Sequence, residues 1–396
     1  MRFSELDGAT VGVWGAGREI RSFADQLARR LPSARIVAAV FDEEPESGVG
    51  GELRAPEARV VLAPEAVGAL RGCEVVVRSP GVPAHRRELE ELRAAGVHVT
   101  TATSLWLAER EGEGVIGVTG TKGKSTTAAL IDHLLRATGL APRLAGNIGV
   151  PALDLLDEEP GRVVVVELSS YQITDLETGP QVAVLTNLFR EHLDWHGSEE
   201  AYRADKLRLF SLPGVRSVVV NSRDEGLAAG SVGRVTSYGQ PAGWDVLAGG
   251  IARDGRPVVA ADELPLRGEH NALNLCAALA AVEAFGVEPP ALPGSLAGFA
   301  PLPHRLVTVA EIEGVTWVDD SISTTPESTL AALASFPDAE IVLIGGGQDR
   351  GQDYAALGRA IHERRAAVIG IPSTGPRLLG AAQGAGVSAA RALAAE

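Results

Sequence analysis

The stretch Val115-Ile116-Gly117-Val118-Thr119-Gly120-Thr121-Lys122-Gly123-Lys124-Ser125-Thr126-Thr127 constrains the fold of this chain more than any other. Apolar residues lead into a Gly-rich turn, and residues 128–135 follow with Leu130, Ile131 and Leu134 at helical spacing. Strand, glycine loop and helix in that order describe a phosphate-binding loop in an α/β sheet. Glycines let backbone N–H groups close around phosphate oxygens, and the helix N-terminus adds positive potential. In such a loop Lys124 reaches the terminal phosphates and the Ser125 hydroxyl is placed to coordinate magnesium. The strict pattern has glycine where this chain has Val118, so the loop is a variant that keeps Gly123-Lys124-Ser125.

At 396 residues the chain exceeds one ordinary core, and two or three domains are expected. Its 45% hydrophobic content, 46 glycines and 23 prolines suit an α/β enzyme with many tight turns. A formal charge of −15 offers no basic field to a nucleic acid, so phosphate binding must be local. The opening residues lack a signal-peptide core, and no run is long enough to span a bilayer. Cys73 and Cys276 give neither a disulfide framework nor a cysteine metal site. A cytoplasmic enzyme is the expectation.

Residues 9–14 read as a strand, followed by Gly15-Ala16-Gly17 and a helix with Ile20, Phe23, Leu27 and Leu31 at helical spacing. Residues 35–41 form a second strand. This is the start of a dinucleotide-type fold with its third glycine replaced by Ile20, and spacing alone leaves open whether a nucleotide binds there. Residues 74–77 lead into Arg78-Ser79-Pro80-Gly81, a turn of the kind where ligands of open sheets gather. Residues 98–103 read as the last strand before a polar linker at 109–114.

Beyond the loop, Gly146-Asn147-Ile148-Gly149 is a turn and residues 162–167 are a buried strand ending on Glu167. A carboxylate there suits a magnesium ligand; the alternative is a solvated strand end. Strands at 182–186, 218–221 and 234–238 follow, with a helix from Ser198 that carries Tyr202 and Lys206. By pattern alone Lys206 is an ordinary half-exposed lysine. His192 and His196 are four apart but have no third ligand in register for zinc. Asn271 and Asn274 share a helix face that suits a planar base or ribose, or one of them caps the helix. From residue 301 onward, strands at 316–318 and 340–344 flank Asp320-Ser321 and a helix from Pro326, again α/β.

Together these motifs resemble the Mur ligases, and within them the MurD type, which joins glutamate to UDP-N-acetylmuramoyl-L-alanine. The resemblance runs from the first strand to about residue 370. It rests on Ser79-Pro80-Gly81, the loop at 119–126, Gly146-Asn147-Ile148-Gly149, Glu167-Leu168-Ser169-Ser170-Tyr171-Gln172 and His192-Leu193-Asp194. Tyr202 to Lys206, Gly268-Glu269-His270-Asn271, Leu302-Pro303-His304-Arg305 and Asp320-Ser321 complete it. The resemblance implies an α/β chain of three domains. These are a Rossmann-like UDP-sugar domain (1–110), a central P-loop ATPase-type domain (111–300) and a shortened Rossmann-like amino-acid domain (301–396).

The chemistry it implies begins with ATP phosphorylating the substrate's carboxylate. An amine then attacks the acyl phosphate, and two magnesium ions screen the repulsion between the anions. By resemblance, Gly120, Thr121, Lys122, Gly123, Lys124, Ser125 and Thr126 hold phosphates. Ser125 and Glu167 bind one magnesium and His192 the second, Lys206 is carried as a carbamate, and Asn147 is associated with substrate and catalysis. Asn271, Arg305 and Asp320 match nucleotide-binding positions. The expected substrates are UDP-N-acetylmuramoyl-L-alanine and glutamate, the expected state is a monomer, and neither nucleic acid nor membrane insertion is expected.

Two departures stand out. Enzymes of this type for D-glutamate read Asp-Ser-Lys-Ala-Thr-Asn, whereas this chain has Asp320-Ser321-Ile322-Ser323-Thr324-Thr325. Ile322 cannot pair with a carboxylate, and losing such a partner costs roughly 2 to 5 kcal/mol if nothing replaces it. A rebuilt pocket that takes L-glutamate is therefore expected. The family also continues with a Ser-Pro-containing segment where this chain stops at Glu396, which reads as a shortened form or a natural lack of that segment. Gly15-Ala16-Gly17-Arg18-Glu19 also replaces the usual Gly-Leu-Gly-x-Thr-Gly. The rival readings are the D-glutamate enzyme, a Mur-type ligase for another amino acid, and a folylpolyglutamate synthetase relative, which would lack the N-terminal domain. A catalytically silent nucleotide-binding protein is opposed by intact Lys124, Glu167, His192 and Lys206, and an oxidoreductase rests on Gly15-Ala16-Gly17 alone.

Overall fold

Two parallel sheets set out most of the chain. The computed structural model describes residues 1–45, 49–159, 161–189, 191, 193–224, 226–228, 230–349 and 351–395. Thr10–Trp14 (β1), Arg35–Phe41 (β2), Arg59–Leu62 (β3), Val75–Arg78 (β4) and His98–Thr100 (β5) pair in parallel in the order β3-β2-β1-β4-β5. Chain order reverses between β1 and β4, so a crevice opens beyond their C-terminal ends, the usual ligand position in such sheets. Gly15-Ala16-Gly17 and Ser79-Pro80-Gly81 border it. The helix Arg18–Arg30 starts directly after the first of these and buries Ile20, Phe23, Ala24 and Leu27, the stripe that its spacing predicts.

Val115–Thr119 (β6), Arg143–Gly146 (β7), Val164–Glu167 (β8), Val182–Leu185 (β9), Ser217–Asn221 (β10) and Arg234–Tyr238 (β11) make the second sheet, ordered β11-β10-β9-β6-β8-β7. Its central strands are buried along their whole length, which is why they read as unbroken valine-rich runs. One continuous apolar core takes in residues of both sheets, from Phe3 and Phe23 through Trp106 and Leu153 to Phe210 and Val220. An antiparallel meander of Trp244–Leu247 (β12), Gly250–Arg253 (β13) and Arg256–Val259 (β14) follows.

The chain divides into two compact units, one of residues 1–259 and 273–298, the other of residues 260–272 and 299–396. The second unit holds a hairpin of Val307–Ile312 (β15) and Val315–Asp319 (β16) and a parallel sheet of Val342–Gly346 (β17), Ala367–Ile371 (β18) and Ala392–Ala394 (β19). Helices Pro326–Ala334, Ala355–Glu363 and Gly375–Gly384 contribute Leu333, Leu357, Ile361, Leu378 and Leu379 to its core. No helix among the described residues is long and apolar enough to cross a membrane.

Local chemistry explains where the structure departs from the sequence pattern. The strand expected at 98–103 stops at Thr100, because Thr101 caps the helix Ala102–Glu109 by accepting a hydrogen bond from the Ser104 amide at 3.2 Å. β3, β7 and the meander escape a reading based on apolar runs. β3 is a short edge strand with Val60 and Leu62 exposed, and the meander strands are four residues each and mix polar with apolar residues without a regular period. The helix that carries Asn271 and Asn274 runs Glu269–Ala284, so both lie on it as expected.

Candidate functional site

The glycine loop leaves the sheet between two neighbouring strands. β6 pairs with β8 and β9 in registers that set Val118 beside Glu167 and Thr119 beside Leu185. Residues after β9 wrap the loop. The Lys122 amide donates to Asn187 Oδ1 at 2.8 Å, while Asn187 Nδ2 and Thr186 Oγ1 donate to the Lys122 carbonyl at 3.0 and 2.5 Å. The Thr121 amide donates to the Asn187 carbonyl at 2.9 Å. Gly120 has φ +146° and Gly123 φ +82°, a backbone that L residues rarely adopt. A Cβ on Gly120 would sit 2.0 Å from Thr186 Oγ1, and one on Gly123 would sit 2.3 Å from Asn274 Oδ1. The loop is therefore fixed in shape before any ligand arrives.

The helix Lys124–Ala137 starts at the loop's end, with Ser125 and Thr126 buried in its first turn. The first N–H groups of an α-helix point out of its N-terminus, the condition for binding an anion. Lys124 folds back so that Nζ donates to the carbonyls of Gly120 and Thr121 at 3.0 and 2.9 Å. Its charge is thereby held over the loop. Lys122 reaches outward and pairs with Glu191 at 2.7 Å.

Glu167 closes one side. Its Oε1 accepts from Asn147 Nδ2 at 2.7 Å, and its main-chain carbonyl accepts from the Asn147 amide at 3.0 Å. Oε2 is buried and finds no hydrogen-bond partner among the described residues. A buried carboxylate oxygen without a donor is costly unless a cation or water supplies the missing contact. With the Ser125 hydroxyl at the start of the helix, the hard oxygen donors fit magnesium. Among the described residues no cluster of His, Cys, Asp and Glu forms a metal site by itself. His192, expected to hold a second ion, lies outside the described residues.

Lys206 is the main correction to the sequence pattern. Far from being half-exposed, it is 2% exposed on the helix Glu199–Leu207. Its Nζ donates to the Gly120 carbonyl at 2.9 Å and lies 3.5 Å from Thr119 Oγ1. Burial, then the charge on Lys124, pushes its pKa well below the ordinary lysine value, against the pull of Glu191 and Glu167. Tyr202, one turn earlier, shares a 2.8 Å hydrogen bond with Thr121 Oγ1. Its burial raises its phenol pKa.

The structure thus gathers Gly120, Thr121, Lys122, Gly123, Lys124, Ser125, Thr126, Asn147, Glu167 and Lys206 in the first unit. Asn271, Arg305 and Asp320 belong to the second unit. There Asn271 Nδ2 donates to the Arg267 carbonyl at 2.7 Å. Asp320 accepts from the Leu306 amide at 3.1 Å and from Ser323 Oγ at 2.6 Å. Burial raises its pKa against those bonds and the charges of His270 and Arg305.

Sequence reasoning passed over Thr186, Asn187 and Glu191, whose one available signal was their place at the end of a buried strand. The zinc reading of His196 also fails on geometry. Its Nδ1 lies 2.6 Å from Asp205 and its Nε2 2.9 Å from Ser170 Oγ, so both ring nitrogens already face side chains.

Known proteins fit this arrangement. Residues 118–282 match the family profile of the Mur ligase middle domain. The UDP-N-acetylmuramoyl-L-alanine–L-glutamate ligase of Xanthomonas axonopodis pv. citri is 41% identical over 390 residues, covering 96% of this chain and 83% of that protein. Its counterpart of the same name from a Micromonospora species is 43% identical over 395 residues, covering 96% of this chain and 85% of its own. In structure the chain is similar to MurF from Acinetobacter baumannii, with a TM-score of 0.59 at 18% identity, over 99% of this chain and 82% of that one. That likeness speaks for the three-domain fold. A phosphate-binding loop, a magnesium-ready Glu167 and close relatives across nearly the whole chain lead to one conclusion: this chain belongs to the Mur ligase family, whose members are ATP-dependent amide ligases.

Proposed function

We propose that this chain uses ATP to activate the carboxylate of UDP-N-acetylmuramoyl-L-alanine and joins it to glutamate, with L-glutamate preferred. The observation that carries the reading is Glu167, a buried carboxylate with an unpartnered oxygen at the tip of β8 beside the phosphate loop. The substrates come from the names of the 41% and 43% identical relatives. The preference for the L form rests on Ile322, which is 45% exposed and offers no charge to a carboxylate. In this reading a sugar-nucleotide domain (1–110) is followed by an ATP domain (111–300) and an amino-acid domain (301–396), and the enzyme is a cytoplasmic monomer.

Backbone N–H groups at the start of the helix, from Gly123 to Thr126, receive the phosphates, the Gly120–Lys122 stretch shapes the loop around them, and Lys124 neutralises them. Ser125 and Glu167 would hold one magnesium ion and His192 a second, and bound ions would supply the charge that lets a carboxylate approach a γ-phosphate. Asn147 fixes the rotamer of Glu167 through its 2.7 Å bond. Lys206, inclined to the neutral amine, is suited to carbamate formation. The neutral Nζ bonds to the carbon of carbon dioxide, one proton leaves to solvent, and a buried neutral amine becomes an anion. Asn271, Arg305 and Asp320 keep their nucleotide-binding role. Joining the acyl phosphate to the amine of glutamate forms a C–N bond and releases phosphate.

Phosphate release from ATP with UDP-N-acetylmuramoyl-L-alanine, measured with L- and D-glutamate separately, tests the reading. Turnover with L-glutamate alone is expected. Turnover with D-glutamate alone refutes the pocket argument, and silence with both refutes the substrate assignment.

A further inference from the structure

Three side chains, two at the start of the helix Arg18–Arg30 and one at the end of β4, reach into the segments that carry Glu167 and its neighbours. Arg18, the first residue after the 15–17 turn, donates to the carbonyl of Gly146 at 2.6 Å and to that of Gly149 at 2.9 Å. Those carbonyls frame the turn holding Asn147, the residue bonded to Glu167. Glu19 accepts from Gln172 Nε2 at 2.5 Å and from Thr103 Oγ1 at 3.1 Å. Gln172 lies on the short helix Ser170–Ile173, three residues beyond Glu167 at its first position.

Arg78 works from the other side of the crevice. It is fully buried at the end of β4. Its Nη1 donates to the Val82 carbonyl at 2.7 Å, so it supports the 79–82 turn from below. Its Nη2 donates to the Tyr171 carbonyl at 3.0 Å and its Nε to Asp175 at 2.5 Å. The same helix, Ser170–Ile173, is therefore tied to both borders of the crevice.

We propose that Arg18, Glu19 and Arg78 are positioning residues that couple occupancy of the crevice between β1 and β4 to the geometry of Glu167. The inference rests on the reading that this crevice takes the sugar-nucleotide substrate. A ligand seated against residues 15–17 and 79–81 bears on backbone that each of these side chains adjoins. Arg18 is otherwise exposed, and a long solvent-facing side chain held by two carbonyls fixes the shape of a turn and adds little to the core. Residues that orient a metal ligand from behind tune the site without touching the reaction.

Amide hydrogen exchange in the metal-free protein, with and without UDP-N-acetylmuramoyl-L-alanine and with no ATP present, reads this coupling directly. In the wild type the substrate slows exchange at residues 15–20 and 79–82. It also slows exchange at Asn147 and residues 169–174, by roughly 2- to 30-fold, the range of couplings of this kind. Arg18→Lys keeps the charge but loses the paired bonds, and Arg18→Met loses both; each retains protection at the crevice and loses it at Asn147. Glu19→Gln weakens the protection at 169–174. Undiminished protection at Asn147 in both Arg18 variants overturns the coupling alone. Absence of protection even at 15–20 and 79–82 in the wild type overturns the substrate assignment and the coupling with it.

Discussion

Lys206 Nζ lies 2.9 Å from the carbonyl oxygen of Gly120, at the base of the phosphate loop, in a position almost closed to water. Burial holds its folded-state pKa well below the ordinary lysine value of 10.5. Between that lowered value and 10.5 the unfolded chain holds a proton that the folded chain does not, so stability rises with pH across this window. In buffer stripped of carbon dioxide, denaturant unfolding of the wild type should show this rise, and Lys206→Met should flatten it. Turnover in the stripped buffer should fall and recover when bicarbonate is added.

Asn147→Ala removes the donor that fixes Glu167 Oε1. Magnesium affinity or activity is expected to fall by about 10- to 100-fold, the usual effect of losing a group that orients a ligand. Magnesium titration of the initial rate measures it. An unchanged half-saturation would show that the bond does not orient the carboxylate.

Gly120→Ala forces a side chain into a φ of +146° and against Thr186 Oγ1. Strain of this sort costs on the order of 1–3 kcal/mol. Calorimetric titration should show ATP affinity reduced by about tenfold or more, since 1.4 kcal/mol is a factor of ten. Adding Thr186→Ala should recover part of the loss, because it removes the nearest atom and leaves the backbone strain.

Arg78→Met leaves Asp175 without its buried partner and four carbonyls short of a donor. Breaking such a pair costs about 3–5 kcal/mol. Urea unfolding is the measurement, and a loss within the error of the wild type would contradict the burial of this group. Arg93 keeps a 3.2 Å contact with Asp175, so Arg93→Met provides the smaller comparison.

The phosphate loop, Glu167 and the valine-rich strands were legible because each is encoded within a dozen residues. Lys206 was not. Its neighbours on the helix look like those of any amphipathic surface, and what buries it is a loop 86 residues earlier in the chain. The bond between Arg18 and Gly146 spans 128 residues and uses a main-chain oxygen that no side-chain pattern can announce. The short edge strand β3 carries exposed Val60 and Leu62, so burial periodicity had no purchase there. Asn271 and Asn274 were placed on one helix correctly, but the Arg267 carbonyl that Asn271 bonds, and the close approach of Asn274 to Gly123, came only with the fold.

Arg18 grips the turn at Gly146 and Gly149 through main-chain oxygens only, whereas Glu19 meets the side chains of Gln172 and Thr103. Over evolutionary time these two neighbours face different pressures. Any sequence that keeps the shape of the turn offers Arg18 the same carbonyls, so the side chain at 148 can drift without Arg18 responding. Glu19 has no such latitude: a change at 172 or 103 removes its donor, and the three positions are bound to co-vary.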